Sequence, residues 1–148
     1  MKRLRLHDRE RRRGAALVEM ALVLPIFVSV VLGIVEFGRA MMVAQLLTNA
    51  SREGARMGAM DATTNTEVID SVKDFVSRSA GVNASHVSVS ITVEPAAGNP
   101  NPSGQVANAR TRDLVTVQVQ VPFDRVSYVT GNWLNGRSLT AQTSMRHE

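Results

Sequence analysis

The spacing of apolar positions changes character along the chain, and each change predicts an element. From Ala15 to Val35 the residues are apolar almost without a break, with Glu19 and Ser29 the polar side chains in the run and Pro25 the one proline. A helix over these 21 residues is roughly 32 Å long, against about 30 Å for the hydrocarbon core of a bilayer. That predicts a membrane span, and the length disfavours the rival reading, a buried core helix of a soluble domain. A helical pattern continues past the span, with Val43, Leu46, Leu47 and Ala50 forming an apolar stripe. Glu36 and Arg39, and again Glu53 and Arg56, stand three apart, so each pair can meet on a helix surface. One long helix is expected from about Ala15 to Met57, leaving the bilayer near Phe37 and presenting its stripe to its own domain or to a neighbour. Pro25 removes a backbone donor, so a kink or loosening is expected near Ala21, tolerable within a membrane helix.

A break at Met60-Asp61-Ala62-Thr63 precedes a second helix. Thr64 and Glu67 have capping-box spacing, Val68, Ile69, Val72, Phe75 and Val76 mark one face, and Gly81 is a natural stop. The period then falls to two. Val87, Val89, Ile91 and Val93 alternate with Ser88, Ser90 and Thr92, and Val115, Val117, Val119 and Val121 alternate with Thr116, Gln118 and Gln120. Both stretches predict strands with one buried face. The sequence from Pro95 to Gln105 reads as an exposed connection, and Pro122 ends the second strand. A weaker third strand is expected from about Ser138 to Met145, after an irregular or short helical segment holding Phe123, Val126, Tyr128, Val129, Trp133 and Leu134. The expected class is α+β: a long N-terminal transmembrane helix, then a small antiparallel sheet of about three strands packed with an amphipathic helix. The domain plan is a basic cytoplasmic leader over 1–14, the span over 15–36, a helix extension over 37–58, and a small extracytoplasmic domain over 59–148.

Charge refines this plan. The chain carries a net +4, yet residues 1–14 alone hold seven basic side chains against Asp8 and Glu10, a net of +5, leaving −1 for the rest. Nucleic acid is therefore not an expected partner. A basic segment ahead of a span sets orientation, N-terminus in the cytoplasm and C-terminal domain outside. Cysteine is absent, so the outer domain must hold by packing alone, and thiol catalysis and thiolate metal sites are excluded. No enzyme is expected, and no metal or cofactor: His7, His86 and His147 lack ligand spacing, and the sequence contains no phosphate loop, nucleophile elbow or paired carboxylates. Asn49-Ala50-Ser51 and Asn83-Ala84-Ser85 match the glycosylation pattern, but the pattern is short and the first lies in a predicted helix.

The most informative stretch is the junction Arg11-Arg12-Arg13-Gly14-Ala15-Ala16-Leu17-Val18-Glu19. A carboxylate at a helix centre in a membrane is unfavourable by about 2.5–3.5 kcal/mol, less near the end where Glu19 sits. That junction, with Ala21-Leu22-Val23-Leu24-Pro25, Gly33-Ile34-Val35-Glu36-Phe37-Gly38-Arg39 and Asn49-Ala50-Ser51-Arg52-Glu53-Gly54-Ala55-Arg56, resembles the TadE-like minor pilins, or pseudopilins, of tight-adherence (Flp-type) type IV pilus systems. The likeness covers roughly residues 11–58.

The resemblance implies cleavage by a prepilin peptidase between Gly14 and Ala15, where a glycine favours an extended, accessible bond. Glu19 would become the fifth residue of the mature chain, its carboxylate pairing with a neighbouring subunit's freed amine and offsetting part of the burial of both charges. The residue-level alternative is that Glu19 snorkels to the interface or is protonated. Implied partners are the bacterial inner membrane, the prepilin peptidase, other pilins or pseudopilins and the pilus assembly platform. Ala15, Ala16, Ala21 and Gly33 would allow close helix approach, and Tyr128 and Trp133 are candidate anchors for a partner on the outer domain. A secretory signal peptide fits poorly, since the apolar run exceeds the usual length and Phe37-Gly38-Arg39-Ala40 is charged where a cleavage site belongs. An uncleaved signal anchor carrying a periplasmic binding or scaffolding domain is the stronger alternative.

Overall fold

Arginine, leucine and alanine are the commonest of the first sixty residues, all strong helix formers. The computed structural model, which describes residues 4–127 and 136–148, places Leu4–Gly58 in one helix, α1. The helix begins well before Ala15, because the leader is itself helix-forming and one glycine at 14 weakens a helix by only about 1 kcal/mol. The helix runs through Pro25 without a gap; Ser29 Oγ donates to the Pro25 carbonyl at 2.8 Å. The chain divides into two units, residues 1–37 and residues 38–148.

The first unit is helical and holds no buried residue from Gly14 to Val35. In the second, α1 buries Val43, Leu47, Ala50, Ser51, Gly54, Ala55 and Gly58, positions recurring every three or four residues as one helical face. Leu46 of the expected stripe is half-buried beside it. Two glycines on that face set how near the helix lies to the sheet. A Cβ on Gly54 would stand 3.1 Å from Val117 Cγ1, and one on Gly58 3.0 Å from Val115 Cγ1. Ser51, fully buried, reaches Thr143 hydroxyl to hydroxyl at 2.8 Å.

Helix α2 spans Asn65–Ala80 with both ends closed as the sequence predicts. Thr64 Oγ1 accepts from Glu67 N–H, the Glu67 carboxylate accepts from Thr64 N–H at 2.8 Å, and Gly81 takes a left-handed φ of 67°. The buried line is Val68, Val72, Val76 and Ala80, a strict i, i+4 series. Phe75, expected on that face, is exposed (44%) and Ile69 half-buried. Each lies one residue off the line, about 100° round the helix, and the line is made narrow by valines packing against Gly54.

The sheet has the order β1-β2-β3, antiparallel throughout, with β1 Ser88–Glu94, β2 Leu114–Pro122 and β3 Ser138–Arg146. Ser90 stands opposite Gln118 and Gln118 opposite Gln142; Val93 stands opposite Val115 and Val115 opposite Met145. The two periodic faces separate cleanly: Val115, Val117, Val119 and Val121 are sealed against the helices, while Ser, Thr and Gln side chains fill the other face. Short 3₁₀ turns at Ala84–His86, Val106–Asn108 and Phe123–Arg125 join the elements. Phe123 and Val126 enter the core; Tyr128, Val129, Trp133 and Leu134 lie outside the described residues.

Candidate processing and assembly site

The residues singled out at the N-terminal junction all belong to α1. Gly14 and Ala15 lie inside the helix, with Gly14 exposed and open space where a Cβ would stand. The backbone at 14–15 is thus helical where the glycine suggested an extended bond. Gly33 also meets nothing within 4 Å. Packing within this chain therefore gives no reason for glycine at either position.

Four residues separate Ala15 from Glu19, about one turn, so both project from the same helix face roughly 6 Å apart along the axis. Ile26 and Gly33 follow at successive steps of seven, close to the same face. Glu19 is exposed, as are the large apolar side chains around it, Leu17 at 72% and Leu22 at 68% among them. From Gly14 to Val35, α1 is exposed all round and apolar but for Glu19 and Ser29, and it is long and apolar enough to cross a membrane.

At the start of the second unit, Arg39 serves the fold. Its Nη2 donates to the Ala80 carbonyl at 2.7 Å and its Nε to the Val126 carbonyl at 3.2 Å. Ala80 is the last residue of α2, so the guanidinium caps an orphan carbonyl and meets the negative end of the helix dipole. Glu53 and Arg56, the second pair spaced three apart, meet at 4.0 Å and are well exposed.

At the opposite end of the sheet lies a polar cluster that no motif or period in the sequence marks. Asp113 is fully buried and its carboxylate accepts from Ala96 N–H at 2.8 Å, Asn99 Nδ2 at 2.6 Å and Arg110 N–H at 2.8 Å. Those bonds, the Ala96 one foremost, hold the carboxyl below its ordinary range against the opposing effect of burial, with a smaller contribution from nearby His147. His147 is buried too, its backbone joined to Asp113 and Arg112 and its Nε2 3.9 Å from Asp61. Asn65 ties the same connection to α2, donating to Gly104 O and accepting from Val106 N–H. The cluster organises a loop; every Asp113 oxygen bond is internal to the chain. Among the described residues no group of His, Asp or Glu is arranged to hold a metal ion.

The two glycosylation-like triplets differ in setting. Ala50 and Ser51 are buried in α1, whereas Asn83 is exposed and its Oδ1 accepts from Ser85 N–H to start a 3₁₀ turn.

Residues 14–56 match the family model described as TadE-like protein. The match begins at the junction glycine and ends two residues beyond Gly54, covering less than a third of the chain. Over those residues the chain is similar to TadE-like proteins, and the match does not reach the sheet. No curated protein and no solved structure matches the chain.

Proposed function

We propose that this chain, TadE-like over residues 14–56, is a minor pilin or pseudopilin of a tight-adherence pilus, cut by a prepilin peptidase between Gly14 and Ala15 and assembled through its N-terminal helix. One observation carries the reading: a carboxylate, Glu19, stands in the apolar, exposed stretch of α1 from Ala15 to Val35, one turn from the residue that would bear the new amine. An exposed apolar helix fits a bilayer or a bundle of like helices. A carboxylate within it asks for a cationic partner, which a freed terminus supplies. The open space at Gly14 and Gly33 supports close approach by another molecule at both points.

In this reading the protein is not an enzyme. It sits in the inner membrane by one pass, with residues 1–14 cytoplasmic and residues 38–148 extracytoplasmic, and it meets the peptidase, the assembly platform and other pilins. Sequencing the N-terminus of the protein extracted from its native membrane tests it. Ala15 as the first residue is expected; Met1 retained on the bulk of the protein overturns it.

The helix continuing through Gly14 favours one other reading, an uncleaved signal anchor holding a periplasmic scaffolding domain. The same experiment separates the two.

A further inference from the structure

Both outer strands of the sheet are edges, and β3 is the longer. It holds nine residues without proline or lysine, and its register to β2 runs unbroken from Leu114↔Arg146 to Pro122↔Ser138. Natural edges are blunted by prolines, bulges or inward-pointing charges, because their unpaired N–H and C=O groups accept a further strand. β3 carries none of these. Among the described residues, no hydrogen bond reaches the β3 backbone from the side away from β2.

Its two columns of side chains are also unfinished. The inward column, Leu139, Ala141, Thr143 and Met145, is half-buried, while the neighbouring β2 valines are sealed. Ser138, Thr140, Gln142 and Ser144 on the outward column are uncharged and exposed, and the column ends in Arg146, exposed and without an ion-pair partner among the described residues.

We infer that the open edge of β3 takes an antiparallel strand from another protein: an extended segment alternating apolar and hydroxyl residues, with a carboxylate opposite Arg146. The apolar positions complete the half-buried column, the hydroxyls continue the Ser/Thr/Gln face, and main-chain bonds supply the affinity. Antiparallel pairing gives the better-aligned ladder.

A second copy of this chain is a poorer occupant. Its β3 holds no carboxylate to stand opposite Arg146, and its β1, which ends in Glu94, would bring that carboxylate to Arg146 only by pairing in parallel, the weaker ladder. The edge does not depend on cleavage at Gly14, so the test reads the same with the leader present or removed.

The chain lacks cysteine, so an introduced thiol reports alone. Full-length protein carrying Gln142→Cys, in detergent micelles, is mixed under mild oxidation with the peptide Asp-Val-Thr-Val-Cys-Val-Thr-Val, whose cysteine falls opposite position 142. Disulfide trapping is expected several-fold above that of Ser90→Cys on the β1 edge. Adding Arg146→Glu lowers it about two- to fivefold, the size of an exposed cross-strand charge pair. Equal trapping at the two edges, absence of trapping, or Gln142→Cys chains linking to one another in preference to the peptide overturns the inference.

Discussion

Gly54 lies so near Val72 that a methyl carbon placed on it would stand 2.7 Å from Val72 Cγ2, with Val117 Cγ1 behind at 3.1 Å. Here α1, α2 and β2 converge, and only a residue without a side chain lets them. Gly54→Ala should destabilise the second unit by about 1–2 kcal/mol, overpacking outweighing the gain in helix propensity. Thermal denaturation of the detergent-solubilised protein measures it. Combining Gly54→Ala with Val72→Ala opens room and should be less than additive; strict additivity would contradict the contact.

Arg39 should be hard to replace. Arg39→Ala leaves the carbonyls of Ala80 and Val126 without their donor, an expected loss of about 1.5–3 kcal/mol for charge-assisted bonds. Arg39→Lys recovers only part, because a point ammonium cannot reproduce the fork that serves two carbonyls. Melting temperatures of the three proteins should rank Arg, Lys, Ala.

Asp113 and Glu67 give the second unit an acid limit. Both carboxyls are held below their ordinary values, Asp113 by Ala96 N–H, Asn99 and Arg110 N–H, and Glu67 by Thr64. A group depressed in the folded state adds stability above its unfolded pKa, about 4 for these residues, and loses it as pH falls through the folded value. Stability should therefore hold from neutral pH to about 5 and decline below about 4. Asp113→Asn should lower stability at neutral pH and flatten that decline, measured by denaturant titration across pH. An unchanged acid limb would assign the decline elsewhere.

The α2 cap is a local test. Thr64→Ala removes the acceptor for Glu67 N–H, with an expected loss of about 1 kcal/mol. Thr64→Ser should be nearly neutral by the same melting measurement.

At the N-terminal junction, Gly14→Val should abolish processing, seen as retained leader on gel and by mass. Glu19→Ala should leave the chain cleaved and membrane-bound while pilus assembly fails; normal piliation by electron microscopy would remove the pairing role.

What could be read from sequence was local or periodic. Thr64, Glu67 and Gly81 announced α2 because capping acts within four residues, and the valines of β2 announced a strand because burial alternates. Phe75 was misplaced because periodicity gives a face but not its width, which Gly54 sets from another helix. The start of α1 was placed too late because glycine was weighed above the propensity of its neighbours. The bonds of Arg39 to the Ala80 and Val126 carbonyls were not legible, as those acceptors lie 41 and 87 residues away. Asp113 was missed because its partners sit in a loop whose path no period describes. The junction residues were legible by resemblance alone, and their exposure on α1 is what the structure adds.

The stretch Val43–Gly58 is a wall of the folded unit and not a tether leading to it. A protease acting just ahead of Gly38 would release the second unit whole, whereas a cut anywhere along that wall would unravel the valine interior instead of shedding it. Any released form of the second unit must therefore keep residues 43–58 of the first helix.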